Sequence, residues 1–210
     1  MINLLLYIWS LCRCSRASSF YPAVCEPIKF GTDTGFVYRT YLNTYHVVID
    51  GSSTALEWVE DFIIFKVGRW FSHIGFDNVA EGMYSDVLSA LTKLGANKLS
   101  KICFDGHSRG GPIAALLNMR FLEAKYANTH TYTYGSPKYG GLLFNLFAKS
   151  MGLRLTRVFI KEDIVTKLPP SPLWPHYATD TVELKKHPKS SNKAFDVHHM
   201  YGTLLTDLIR

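Results

Sequence analysis

Five residues near the middle of the chain, Gly106-His107-Ser108-Arg109-Gly110, have the types and spacing of the pattern G-x-S-x-G. In that pattern a sharp turn between a strand and a helix lifts a serine hydroxyl above a sheet, where it can attack a carbonyl. Small residues flank the serine because strand and helix crowd there, and glycine tolerates the backbone angles required. The implied chemistry is acyl transfer, which needs a base to take the serine proton and a carboxylate to orient that base. On such turns the carboxylate and then the histidine follow the serine in chain order. The acidic candidates are Glu123, Glu162, Asp163, Asp180, Glu183 and Asp196, and the candidate bases are His176, His187, His198 and His199. Asp163 stands out because it follows the apolar run Leu155–Ile160, and open α/β sheets place their sites beyond the carboxyl ends of strands. His107 adjoins the serine but is expected to project the other way off the turn, as a packed supporting residue.

The elements that must position these groups follow from periodicity. Phe36–Leu42 and His46–Asp50 are β-rich runs separated by Asn43-Thr44-Tyr45, which predicts a hairpin. Leu56, Val59 and Phe62 predict a short helix over 55–62, and Tyr84, Val87, Leu88, Leu91 and Leu94 a longer one that Gly95 ends. Ile102-Cys103-Phe104 is a buried-strand run, followed by helical spacing at Ile113, Leu116, Leu117, Phe121 and Ala124. A strand at Thr131–Tyr134, a helix at Leu142–Lys149, a strand at Leu155–Ile160 and a last helix carrying Met200, Leu204, Leu205 and Leu208 complete the alternation. Strands alternating with helices of this size predict an α/β fold with a largely parallel central sheet flanked by helices. No internal linker interrupts it, so residues 21–210 are expected to form one domain.

Composition excludes several classes. The 210 residues are 47% hydrophobic and 19% charged, with a net charge of +6, which is not the balance of a disordered chain. The positive charge suits an anionic surface. No helix or sheet clusters Arg and Lys with aromatics, so a nucleic-acid binder is not expected. The four cysteines show no zinc-site spacing, and Cys103 lies in an apolar run as a small hydrophobe. Residues 1–20 open with the apolar stretch Leu4–Trp9, Leu11 and Cys12, then Ser15-Arg16-Ala17. That segment has two readings: a signal peptide cleaved near Ala17, giving a secreted protein, or an apolar N-terminal segment of a cytoplasmic or membrane-peripheral one.

At a finer level the chain resembles the fungal-type (class 3) lipase family of α/β-hydrolases. The resemblance rests on His46-Val47-Val48-Ile49-Asp50-Gly51-Ser52 with Trp58 and Asp61, then His73-Ile74-Gly75-Phe76, then Gly106–Gly111. It continues in Thr133-Tyr134-Gly135-Ser136-Pro137 with Gly140, Asp163-Ile164-Val165 with Leu168-Pro169-Pro170, and His198 with Tyr201. These segments stand in the family's order and span about residues 36–205. The resemblance implies a compact α/β-hydrolase-like fold with Ser108 as nucleophile, Asp163 as orienting acid and His198 as base. Ser52 and the backbone N–H of Arg109 would line the oxyanion hole, and the aromatic and aliphatic cluster Ile63, Ile64, Phe65, Trp70 and Phe71 would belong to a lid. Asp50 stands where the family has arginine, Arg109 where it has an apolar residue, and Pro112 where it has a small one. A pair between Asp50 and Arg109 would restore the charge balance by a different route, although opposite charges near one site often form no meaningful pair.

The implied function is hydrolysis of a lipid carboxylic ester, as a triacylglycerol lipase or a phospholipase, with no cofactor and no metal. The rival is a catalytically inactive lipase-like module that binds lipid or a protein partner. The basic run Lys185, Lys186, His187, Lys189 and Lys193 adds an expectation of peripheral contact with an anionic lipid surface.

Overall fold

The computed structural model describes residues 25–40, 42–51, 67–185, 194–201 and 203–204. Within them seven strands form one sheet in chain order: β1 (Cys25–Phe30), β2 (Asp33–Arg39), β3 (Thr44–Ile49), β4 (Lys101–His107), β5 (Thr129–Tyr134), β6 (Leu155–Ile160) and β7 (Asp180–Leu184). β1, β2 and β3 pair antiparallel, and β3 through β7 are parallel. The hairpin predicted over residues 36–50 is therefore present as β2–β3. The two edge strands β1 and β7 lie outside the predicted elements. β1 holds a proline and two charged residues in six, and β7 presents mostly exposed side chains, so neither carries a strong burial pattern.

Alternation along the strands sorts side chains to two faces. Val37, Val47, Ile49, Ile102 and Phe104 point to the face covered by helices α1 (Ile74–Lys93) and α2 (Gly110–Glu123). Phe36, Tyr38, Val48, Tyr134, Val158 and Ile160 point to the other face, where Val197, Tyr201 and Leu204 of the C-terminal segment join them. The central strand β4 is buried from Ile102 to His107, the continuous pattern of a parallel strand covered on both sides.

α1 is helical because Phe76, Val79, Ala80, Met83, Val87, Ala90 and Leu91 recur on one buried stripe. His73 caps it by accepting from Gly75 N–H at 3.2 Å, and Gly95 at φ +87° ends it. The helix begins ten residues before the predicted stripe at Tyr84. α2 is buried from Gly110 through Phe121. Its Asn118 donates to Thr131 Oγ1 of β5 at 2.9 Å, and its Arg120 pairs with Asp77 and Glu81 of α1 at 2.8 and 2.7 Å. α3 (Leu142–Ser150) matches its predicted span to one residue. α4 covers Ala194–His198, ahead of the predicted stripe, and helical structure resumes at Tyr201 and includes Leu204, whereas Leu205 and Leu208 lie outside the described residues. The helix expected over 55–62 lies outside the described residues. Among the described residues no helix is long and apolar enough to cross a membrane.

Candidate active site

β4 delivers Ser108 from its carboxyl end, and the chain reverses at once into α2. Ser108 adopts φ +54°, a left-handed conformation that costs a non-glycine residue roughly 1–2 kcal/mol. Its N–H donates to Tyr134 O at 2.8 Å, and Gly111 N–H donates to its carbonyl at 3.0 Å, so neighbouring backbone holds the strained turn. The flanking glycines are required by close approach. A Cβ on Gly106 would lie 2.2 Å from Gly110 O, and one on Gly110 would lie 2.4 Å from Ile49 O. The serine hydroxyl is buried and has no hydrogen-bond partner among the described residues.

Asp163 sits three residues beyond β6, fully buried. Its two oxygens do different work. Oδ1 accepts Val165 N–H at 2.9 Å and caps the single 3-10 turn Val165–Lys167. Oδ2 accepts His198 Nδ1–H at 2.9 Å and the Tyr201 hydroxyl at 2.7 Å. One carboxylate thus both holds the following turn and accepts from His198 and Tyr201. His198 is fully buried too, and its Nε2 has no partner among the described residues. The donor to Asp163 fixes the tautomer: Nδ1 carries the proton and Nε2 keeps its lone pair, the state a base requires.

Two supporting residues emerge here. Tyr201, named in the sequence only beside His198 in the family resemblance, bridges Asp163 and the backbone, since its hydroxyl also accepts Ile160 N–H at 3.1 Å. Burial, then the nearby Asp163 carboxylate, push its ionisation well above the usual tyrosine range, so it stays a donor. Gly135, at φ +56°, leaves room for both groups, since a Cβ there would lie 2.8 Å from the Tyr201 ring and 3.0 Å from Asp163 Oδ2. His107 does not project away from the site. Its ring stacks on His198 with centroids 4.8 Å apart, and its Nε2–H donates to His198 O at 3.2 Å. The expectation that it packs in support holds, but against His198 itself. The signal was its place beside the serine, on the face opposite to Gly106 and Phe104.

The other candidates lie elsewhere. His199 is exposed. His176 donates Nε2–H to Thr166 O at 2.6 Å, and burial lowers its pKa to about 4. Glu123 pairs with Arg69, and Glu162, Asp180, Glu183 and Asp196 are exposed. Phe195-Asp196-Val197 is helical, and His198 is the last residue of that helix. Ser52, His187, Ile63, Ile64 and Phe65 lie outside the described residues. Trp70 and Phe71 part company: Trp70 packs on the core with Arg120 5.1 Å from its ring centre, whereas Phe71 is exposed. Arg109 is the N-cap of α2, and its backbone N–H follows directly on the serine. Its guanidinium pairs with Asp33, and Asp50 accepts from Thr34 Oγ1 at 2.7 Å. Asp50 and Arg109 thus turn not to each other but to the start of β2, which reaches this edge of the sheet next to β3. Among the described residues no cluster of His, Cys, Asp or Glu could hold a metal ion.

Residues 46–172 match the profile of Lipase (class 3). The lipase of Rhizopus niveus is 30% identical over 175 residues, 77% of this chain and 44% of its own length. That of Rhizomucor miehei is 28% identical over 138 residues, 61% of this chain and 38% of its own. A solved triacylglycerol lipase, whose catalytic centre is described as a serine protease triad, superposes with a TM-score of 0.69 at 23% identity, covering 87% of this chain and 80% of that one. With a sheet that launches a serine from its central strand and sets an acid–histidine pair beside it, the fold is that of an α/β-hydrolase. The chain belongs to the class 3 lipase family. It spans about two fifths of the length of the curated relatives it matches.

Proposed function

We propose that the protein is a serine-dependent carboxylic ester hydrolase acting on lipids. The observation that carries this reading is the hydrogen-bond chain Tyr201–Asp163–His198, which leaves His198 Nε2 with a lone pair and Ser108 Oγ on a strained elbow. His198 takes the Ser108 proton as the oxygen attacks the ester carbonyl, and Asp163 stabilises the imidazolium that forms. The Arg109 N–H and Ser52 donate to the tetrahedral oxyanion, a contribution of about 2.7–4 kcal/mol per donor. His198 then protonates the leaving alcohol, and water releases the acyl group by the same steps in reverse. Relatives named as lipases, one of them a triacylglycerol lipase, support a lipid ester as substrate. The test is labelling with a fluorophosphonate, which reacts with an activated serine. Wild type is expected to label and a folded Ser108→Ala variant not to. Labelling of both, or of neither, overturns the proposal.

A further inference from the structure

α3 buries Phe144 and Ala148 and turns the rest of its apolar residues outward. Leu142 and Leu146 are 59% and 64% exposed, and Leu143 and Phe147 accompany them. Phe71 stacks on Phe147 with ring centroids 5.9 Å apart. Three segments are tied into this one surface. Ser72 forms a β-bridge with Gly140, His73 N–H donates to Tyr139 O at 2.8 Å, and the carbonyl of exposed Leu173 abuts Gly141. Six of the eleven exposed large hydrophobics among the described residues thus gather in one place, unlike the single scattered residues of an ordinary surface.

The segments that follow α2 and carry most of this surface are basic, and the nearby Glu123 is already paired with Arg69. From residue 124 to residue 161 the chain has six Lys or Arg and no Asp or Glu, and residues 164–179 carry Lys167 and again no acid. Lys149 follows Leu142 and Leu146 at i+7 and i+3, on the same face of α3. Lys138 donates to Ser171 O at 3.4 Å, beside Leu173, and Lys167 is exposed on the turn before it. None of these three lysines is in an ion pair among the described residues, whereas Arg69 and Lys93 each have an acidic partner.

We propose that this face is a docking surface for an anionic lipid bilayer, with the outward leucines and phenylalanines of α3 and Phe71 entering the interface and Lys138, Lys149 and Lys167 at the headgroups. An apolar face rimmed by lysines is the pattern of a helix lying in a membrane interface. A second copy fits less well, because a two-fold contact would set the same lysines against each other. α3 starts at the carboxyl edge of the sheet, the edge that carries Ser108 and Asp163, so docking turns that edge toward lipid. This inference does not rest on the ester-hydrolase reading.

The experiment is co-sedimentation of the full chain carrying Ser108→Ala, which reads adsorption without turnover. Vesicles are phosphatidylcholine alone or mixed with phosphatidylglycerol. Adsorption is expected on the mixed vesicles, well above that on neutral ones, and to weaken with salt. Adding Leu146→Asp should lower partitioning roughly tenfold. Adding Lys149→Glu should lower it at least about fivefold on the mixed vesicles. Both residues are exposed, so thermal melts are expected to match the parent. Leu146→Asp adsorbing as tightly as the parent overturns the proposal, and so does equal adsorption to both vesicle types. A lipid-free dimer that Leu146→Asp dissolves would replace it with a contact between copies.

Discussion

Replacing Asp163 by Asn keeps the shape of the side chain but cannot keep its bonds. Three donors converge on the carboxylate: Val165 N–H on Oδ1, and His198 Nδ1–H and the Tyr201 hydroxyl on Oδ2. An amide offers one acceptor oxygen and one NH2. With its oxygen toward His198 and Tyr201, the NH2 meets Val165 N–H, and the turn at 165–167 loses its cap. With the NH2 toward His198, Nδ1 must become the acceptor, so the proton moves to Nε2 and the lone pair needed to take the Ser108 proton is gone. The second arrangement is inactive, and the first lacks the negative charge that stabilises the imidazolium. By analogy with the corresponding substitution in a serine protease, kcat should fall roughly 10⁴-fold. At 1.36 kcal/mol per decade that is about 5 kcal/mol of barrier. Loss of charge-assisted bonds should cost about 1–3 kcal/mol of stability, a fall in Tm of about 3–10 °C for a chain of this size. The assay is turnover of a water-soluble ester alongside a thermal melt. Near-normal kcat in a folded variant would refute the assignment and return the acid to Glu162 or Asp180.

His198→Ala should abolish hydrolysis of the same ester, whereas His199→Ala, at an exposed position, should retain at least roughly a tenth; the reverse result would move the base by one residue. His176 should shape acid stability, because its folded pKa of about 4 lies below the ordinary value of 6.5. As pH falls the unfolded chain binds this proton first, so the stabilisation is complete above about pH 6.5 and drains away toward pH 4. With partial exposure discounted the loss is about 2 kcal/mol, read as urea midpoints across that range, and His176→Gln should remove that share of the slope.

The candidate site was legible in the sequence where it depends on neighbours along the chain. The serine between glycines, the strand before it and the helix after it are local consequences of crowding, and Gly106 and Gly110 occupy contacts that admit no Cβ. Asp163 was legible because an apolar strand ended just ahead of it. The edge strands were not, because β1 and β7 bury little and so leave no alternation to detect. Nor was the partner of Arg109. Residue types near one edge suggested Asp50, but the antiparallel register of β1, β2 and β3 brings the start of β2 there and supplies Asp33 instead. The largest gap concerns Tyr201 and His107. A tyrosine three residues after a histidine implies only shared packing on a helix, but α4 stops at His198 and the turn that follows aims the hydroxyl at Asp163, 38 residues away. Local spacing determines which side chains are presented, and only the meeting of β4, β6 and the C-terminal segment decides which of them hydrogen-bond to one another.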